Sequence, residues 1–235
     1  MGRGAVILAA GTGSRLRAIA PVKPLARVAG RPLLHHAIRA LRSVGVGPVT
    51  VVTGHAGAEV AAALDGLPDV TAVPNPAWAH TPNGVSLLAA RDHVTDGTLL
   101  LMADHLVAPA LLERLVAGGQ PAGGLALAVD RRLGHPAVDE ADVTRVRTDG
   151  SAIVDIGKAL RVWDCYDCGA FLIGPALLAA LDRLPEPSLA DGVRALARAG
   201  LARATDIGCS FWLDVDDARA LLLAERALAD RVVAA

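Results

Sequence analysis

Residues 5–25 read Ala5-Val6-Ile7-Leu8-Ala9-Ala10-Gly11-Thr12-Gly13-Ser14-Arg15-Leu16-Arg17-Ala18-Ile19-Ala20-Pro21-Val22-Lys23-Pro24-Leu25. The apolar run from Ala5 to Leu8 suits one strand buried on both faces of a parallel sheet. It breaks at Gly11-Thr12-Gly13, where backbone approaches a ligand closely and main-chain N–H groups point at an anion. Arg15, Arg17 and Lys23 follow, so backbone donors are succeeded by fixed cations, as a triphosphate requires. Two common phosphate loops do not fit. The dinucleotide fingerprint wants a small residue where Leu16 stands and an acid roughly twenty residues on, yet no Asp or Glu precedes Glu59. The Walker pattern wants Gly-Lys-Ser/Thr, which Ser14-Arg15-Leu16 does not supply.

Charge points the same way. Net charge is −1, but eight Arg or Lys residues and no acid precede Glu59. Aromatic residues make up only 3% of the chain, too few to interleave with cations for base stacking, so a polyphosphate fits better than nucleic acid. Of 23 basic residues all but Lys23 and Lys158 are arginines. A lysine surviving that bias marks a place where a compact ammonium is wanted and a planar guanidinium is not.

The 235 residues suit one α/β domain with a core large enough to need no staples. No stretch approaches the roughly 18 apolar residues of a membrane span, and the N-terminus lacks the regions of a signal peptide, so a cytoplasmic protein without membrane insertion is expected. Cys165, Cys168 and Cys209 make no disulfide framework. Cys165-x-x-Cys168 has no second Cys pair and starts no helix, so buried thiols are expected rather than a redox or zinc site.

Downstream, apolar periodicity predicts a helix from Pro32 to about Val44, with one of His35 and His36 facing solvent, then a strand over 48–54, a helix over 58–64 and a strand over 70–73. This rhythm implies a doubly wound, mostly parallel sheet with right-handed crossovers. A Pro-broken loop from Asn75 enters a helix near Asn83-Gly84-Val85-Ser86; Asn83 or Ser86 would cap it or read a ligand. Thr98 to Met102 is an apolar strand ending at Asp104, placed where open α/β sheets gather ligands and suited to holding Mg²⁺ against phosphate oxygens. Leu125 to Val129 is a strand ending in Asp130-Arg131. Residues 144–158 read as a hairpin turning at Asp149-Gly150, followed by a strand over 163–173. Phe211 to Asp216 is a strand with an acidic end, where alternation puts Asp214 and Asp216 on one face. Residues 218–232 form an amphipathic helix packed on the body.

Leu8-Ala9-Ala10-Gly11-Thr12-Gly13-Ser14-Arg15-Leu16 with Lys23-Pro24-Leu25 resembles the LAAGxGxRL…KPL signature of the sugar-phosphate nucleotidyltransferases. Asn83-Gly84-Val85-Ser86-Leu87-Leu88, Met102-Ala103-Asp104-His105, Ile156-Gly157-Lys158, Asp164-Cys165-Tyr166-Asp167-Cys168-Gly169 and Trp212-Leu213-Asp214-Val215-Asp216 extend the likeness to CTP:inositol-1-phosphate cytidylyltransferases, over nearly the whole chain. In three places the family pattern differs: Pro82 stands for a glycine, Ala103 for a glycine and Cys168 for a threonine.

The resemblance implies a Rossmann-like fold with a small inserted hairpin. Residues 1–120 would form a nucleotide-binding half, and 121–235 an acceptor half with the C-terminal helix, in one domain. It also implies Mg²⁺-dependent condensation of CTP with L-myo-inositol 1-phosphate to CDP-inositol and pyrophosphate. Relatives often carry a fused membrane-bound phosphotransferase domain; this stretch resembles the stand-alone form. By the same resemblance Leu8, Ala9, Ala10, Gly11, Thr12 and Gly13 would hold the nucleotide, with Asn83, Gly84 and Ser86 at its base. Arg15 and Lys23 would grip the triphosphate, and Asp104 with Asp216 or Asp214 the metal, Asp216 being favoured. Lys158 would meet the acceptor phosphate with Arg131 as helper, while Asp130, Asp167 and Gly169 would face the acceptor. A phosphocholine or phosphonate acceptor, a uridylyl- or guanylyltransferase and a non-catalytic nucleotide sensor stay open, as does the oligomeric state, a homodimer included. A choline site would want an aromatic cage that this composition hardly supplies.

Overall fold

The computed structural model describes residues 2–13 and 15–233, without the side chains at 230–233. Ser14 of the glycine-rich signature lies outside the described residues. The first half runs β1 (Ala5–Ala9), β2 (Arg27–Val28), β3 (Arg31–Pro32), α1 (Leu33–Ser43), β4 (Val49–Thr53), α2 (Gly57–Ala62), β5 (Val70–Pro74), α3 (Asn83–Ala89), β6 (Thr98–Met102), β7 (His105–Val107) and α4 (Pro109–Gly118). The second half runs β8 (Leu125–Asp130), β9 (Arg145–Asp149), β10 (Ala152–Gly157), β11 (Cys165–Ile173), α5 (Pro175–Leu181), α6 (Leu189–Arg198), β12 (Ala202–Asp206), β13 (Trp212–Asp214) and α7 (Ala218–Val233).

One nine-stranded sheet carries both halves, in the order β5-β4-β1-β6-β11-β8-β12-β10-β9. Every residue of β1 is buried because side chains alternate between two cores. Ala5, Ile7 and Ala9 join the core beneath α1, α2 and α4, while Val6 and Leu8 join the core beneath α3, α5 and α6. The sheet is thus covered on both faces, which is why its central strands are apolar throughout.

The sheet is mixed rather than mostly parallel. β5, β4, β1 and β6 pair in parallel, but β11 lies antiparallel between β6 and β8, and β10 is antiparallel to β12 and β9. The start of β11 also pairs with β9, so the β9–β10 hairpin inserted between β8 and β11 folds back onto the sheet.

The chain leaves β1 for β4 on one side and later returns to β6 on the other. The crevice beyond the carboxyl ends of β1 and β6 is therefore the topological switch point where ligands of such sheets bind. The glycine loop and Asp104 both emerge there. A two-stranded ribbon, β7 with β13, pairs His105 with Asp214 and brings a second acidic segment to the same crevice. Leu16, Val28, Leu33, Leu106, Leu213, Val215 and Ala224 form a small third core under this ribbon, joining it to α7.

Candidate active site

Two cavities open at the crevice. The larger, about 740 Å³, reaches toward β10, β11 and α6; the smaller, about 230 Å³, lies over the glycine loop. They meet at Arg15, Lys23, Asp104 and Asp216, which line both.

Lys23 is 7% exposed and donates to Asp104 Oδ2 at 2.6 Å and to Asp216, with Asp214 Oδ1 3.9 Å away. A short 3₁₀ turn at Lys23-Pro24-Leu25 delivers it. Gly13 makes room for it: at φ +56°, a Cβ there would lie 2.4 Å from Lys23 Cβ. The second glycine of the loop is therefore needed for the lysine stem as well as for the backbone path. Arg15 pairs with Asp216 and Asp142 and stands 3.7 Å from Asp139. Lys158, at the end of the β9–β10 hairpin, donates to Asp142 Oδ1 at 2.6 Å.

His105 Nδ1 lies 2.9 Å from Asp104 Oδ1, and its ring stacks on Trp212. Burial would lower its pKa, but the carboxylates of Asp214, Asp104 and Asp167 raise it to about 9, so it is an imidazolium donating to Asp104. Burial would likewise push Asp104 up, yet the Lys23 ammonium and His105 hold it well below the usual carboxylate range. Among the described residues Asp167 has no such cation bonded to it. Burial pushes it up to about 6 against the opposing N–H of Gly169 at 2.7 Å. Gly169, at φ +70°, leaves space for the imidazole: a Cβ would lie 2.5 Å from His105 Cδ2.

The acids here can hold a hard divalent cation. Atoms of Asp104, His105 and Asp214 lie within 4.8 Å of one another, as do those of Asp142, Asp214 and Asp216. Asp214 Oδ1 is buried with no hydrogen-bond partner among the described residues, an oxygen an ion would satisfy. Asp216 is already held by Lys23 and Arg15. Asp104 is likewise held by Lys23 and His105, so of these three acids Asp214 is the one that keeps a free oxygen for an ion.

Several expected positions fall elsewhere. Asp130 is 1% exposed and accepts from Arg132 N, Nε and Nη2 and from Trp212 Nε1 at 2.7 Å. All its lone pairs face protein donors, and it braces β13 rather than lining either cavity. Arg131 lines neither cavity and donates instead to Asp164, Thr148 and the Gly150 carbonyl. Arg132 lines the large cavity in its place.

Asn83 lines the large cavity, but its Oδ1 accepts from Leu189 N, tying α3 to α6. Ser86 is buried against Asn75, and a Cβ on Gly84 would lie 2.3 Å from Pro187 O; neither lines a cavity. No side chain caps α3. Of the loop residues, Leu8, Ala9, Gly11, Thr12 and Gly13 line the smaller cavity, whereas buried Ala10 accepts from His55 N.

His35 and His36 are both half-buried on backbone carbonyls of Ala63 and Val28, so neither simply faces solvent. Cys165 and Cys168 are buried in different cores on opposite faces of the sheet, which excludes a paired site. Sequence reasoning missed His105, Asp142 and Arg132. His105 and Arg132 adjoin residues that were singled out, whereas nothing local marks Asp142.

Comparison of the sequence with known families matches residues 5–204 to the MobA-like NTP transferase domain. The chain belongs to that family. It is a nucleotidyltransferase domain of Rossmann-like α/β fold. The Bifunctional IPC transferase and DIPP synthase of Rubrobacter xylanophilus is 40% identical over 234 residues, covering 95% of this chain and 51% of that protein. The CMP-5'-(3-aminopropyl)phosphonate synthase of Streptomyces rubellomurinus is 33% identical over 233 residues, covering 91% and 37%. The chain spans about half the length, or less, of these curated relatives. Among solved structures, the inositol-1-phosphate CTP transferase from T. maritima superposes with a TM-score of 0.84 at 22% identity, covering 93% of this chain and 91% of that one. That likeness shows the fold. Among the described residues no helix is long and apolar enough to cross a membrane.

Proposed function

We propose that this chain is a Mg²⁺-dependent cytidylyltransferase that joins CTP to L-myo-inositol 1-phosphate, giving CDP-inositol and pyrophosphate. The observation that carries the reading is the meeting of two cavities at Arg15, Lys23, Asp104 and Asp216, with Lys158 lining the larger one. The choice of acceptor is supported by the relatives named IPC transferase and by the structural neighbour titled inositol-1-phosphate CTP transferase.

In this reading residues 1–120 hold the nucleotide. The backbone of Leu8 to Gly11 holds base and ribose, and Gly13, Arg15 and Lys23 grip the triphosphate. Residues 121–235 form the acceptor side, where Lys158 meets the incoming phosphate and Asp167 and Gly169 face the inositol ring. An oxygen of the acceptor phosphate attacks the α-phosphorus while its bond to the bridging oxygen of the β-phosphate breaks, and pyrophosphate leaves with that oxygen. An ionised phosphate is already a nucleophile, so no general base is needed; positioning and charge neutralisation do the work. Asp104 and Asp214 would hold Mg²⁺, which supplies neutralisation of the triphosphate and leaving group. Cys165, Cys168 and Cys209 are all free thiols, which suits the reducing cytoplasm.

The test is pyrophosphate release with Mg²⁺, pairing CTP, UTP, GTP and ATP with inositol 1-phosphate, phosphocholine, 2-aminoethylphosphonate and glucose 1-phosphate. Release with CTP and inositol 1-phosphate alone is expected. A second reading, cytidylyl transfer to a phosphonate, is favoured by the Streptomyces relative and predicts release with 2-aminoethylphosphonate instead. CTP binding without release from any pair would replace both with a nucleotide sensor.

A further inference from the structure

Asp142 ties together two cations from opposite sides of the crevice. Its Oδ1 accepts from Lys158 Nζ at 2.6 Å and its Oδ2 from the Arg15 guanidinium. Arg15 follows the glycine loop, Lys158 ends the β9–β10 hairpin, and Asp142 sits on the loop between β8 and β9. Glu140, two residues earlier, is anchored by the Tyr166 hydroxyl and by Arg145, which donates to its carbonyl at 3.0 Å. Asp142 can therefore leave the two cations by rotating its side chain, without opening the loop.

We propose that Asp142 is a specificity-determining residue whose carboxylate occupies the seat of the acceptor's phosphate, so that only a dianionic phosphate or phosphonate displaces it. The proposal rests on the reading that Arg15 serves the triphosphate and Lys158 the acceptor. A carboxylate offers two oxygens and one charge, whereas a phosphate monoester offers three oxygens and up to two charges. Between two cations the dianion wins. A neutral alcohol or water has no charge with which to compete, and leaves Lys158 bound to Asp142.

The experiment measures binding of inorganic phosphate and methyl phosphate to the full chain by calorimetry, without nucleotide. Asp142→Asn should bind both about tenfold more tightly than wild type, whereas Asp139→Asn should gain less than about twofold. The control removes the same charge from the same loop, at a residue 3.7 Å from Arg15 and not paired with Lys158. Adding Lys158→Ala to Asp142→Asn should erase the gain. Equal gains for the two Asn variants would show bulk electrostatics and overturn the seat, as would no gain for Asp142→Asn. Asp142→Ser repeats the measurement if the Asn variant fails to fold by circular dichroism. Failure of the proposed transfer reaction would appear separately, as wild type that binds phosphate with this pattern yet turns over no nucleotide–acceptor pair.

Discussion

Asp130→Asn separates the two roles open to this carboxylate, an acceptor ligand and a structural brace. Oδ1 accepts from Arg132 N at 2.9 Å and Arg132 Nε at 2.8 Å; Oδ2 accepts from Arg132 Nη2 at 2.8 Å and Trp212 Nε1 at 2.7 Å. An amide keeps one oxygen, so its NH₂ must face two donors and two hydrogen bonds are lost. One was made to a guanidinium and one to an indole inside the protein, so the loss is about 3 kcal/mol. For a domain of this size that lowers Tm by about 6–12 °C. Trp212 lies two residues before Asp214 on β13, so turnover should fall while the KM values of nucleotide and acceptor move little.

Scanning calorimetry and steady-state kinetics at pH 7 measure both effects. Burial would raise the pKa of Asp130, but the Arg132 and Trp212 donors hold it below the usual value. Its stabilisation is therefore present above the unfolded carboxylate value near pH 4 and is lost as pH falls through the folded one, so wild type and variant should converge only in strong acid. A Tm shift under about 2 °C with only the acceptor KM raised would refute the brace and restore an acceptor role.

Gly169→Ala places a methyl 2.5 Å from the His105 ring in a left-handed backbone, which should cost about 1–2 kcal/mol of stability and displace the imidazolium from Asp104; a thermal melt with turnover checks it, and unchanged turnover would contradict it. Asp214→Asn should raise the Mg²⁺ concentration needed for half-maximal activity more than Asp216→Asn does, and a magnesium titration of each variant decides the order. Lys23→Ala and Asp104→Asn should each lower turnover by at least about a hundredfold with the circular dichroism of wild type; retained turnover in either would break the site assignment. Burial holds His36 below the ordinary histidine pKa, so the unfolded chain binds its proton first: stability should be full above about pH 6.5 and decline below it. Urea midpoints at pH 7.5 and 5.5 should show this decline lessened in His36→Gln.

The sequence by itself determined whatever depends on neighbours along the chain. An apolar run broken by Gly11-Thr12-Gly13 makes a buried strand followed by an open turn, because burial and backbone freedom are local demands. The apolar strand ending at Asp104, the helix beginning at Leu33 and the hairpin turning at Asp149-Gly150 were legible for the same reason. The Ser188-x-x-Asp191 capping box that opens α6 was found only in the structure.

Tertiary structure decided the rest. A buried strand pattern says that both faces are covered but not which strand lies beside it, so the reversal of β11 and its pairing with β6 came only from the fold. A carboxylate's role depends on the donors that reach it. Asp130 and Asp214 each end an apolar strand, yet Arg132 and Trp212 saturate the first while the second keeps a buried free oxygen. Asp142 is an ordinary acid in an irregular loop until folding sets Arg15, 127 positions away in the chain, and Lys158 against it. Charges that distant in sequence acquire meaning only when the sheet brings them within a hydrogen bond.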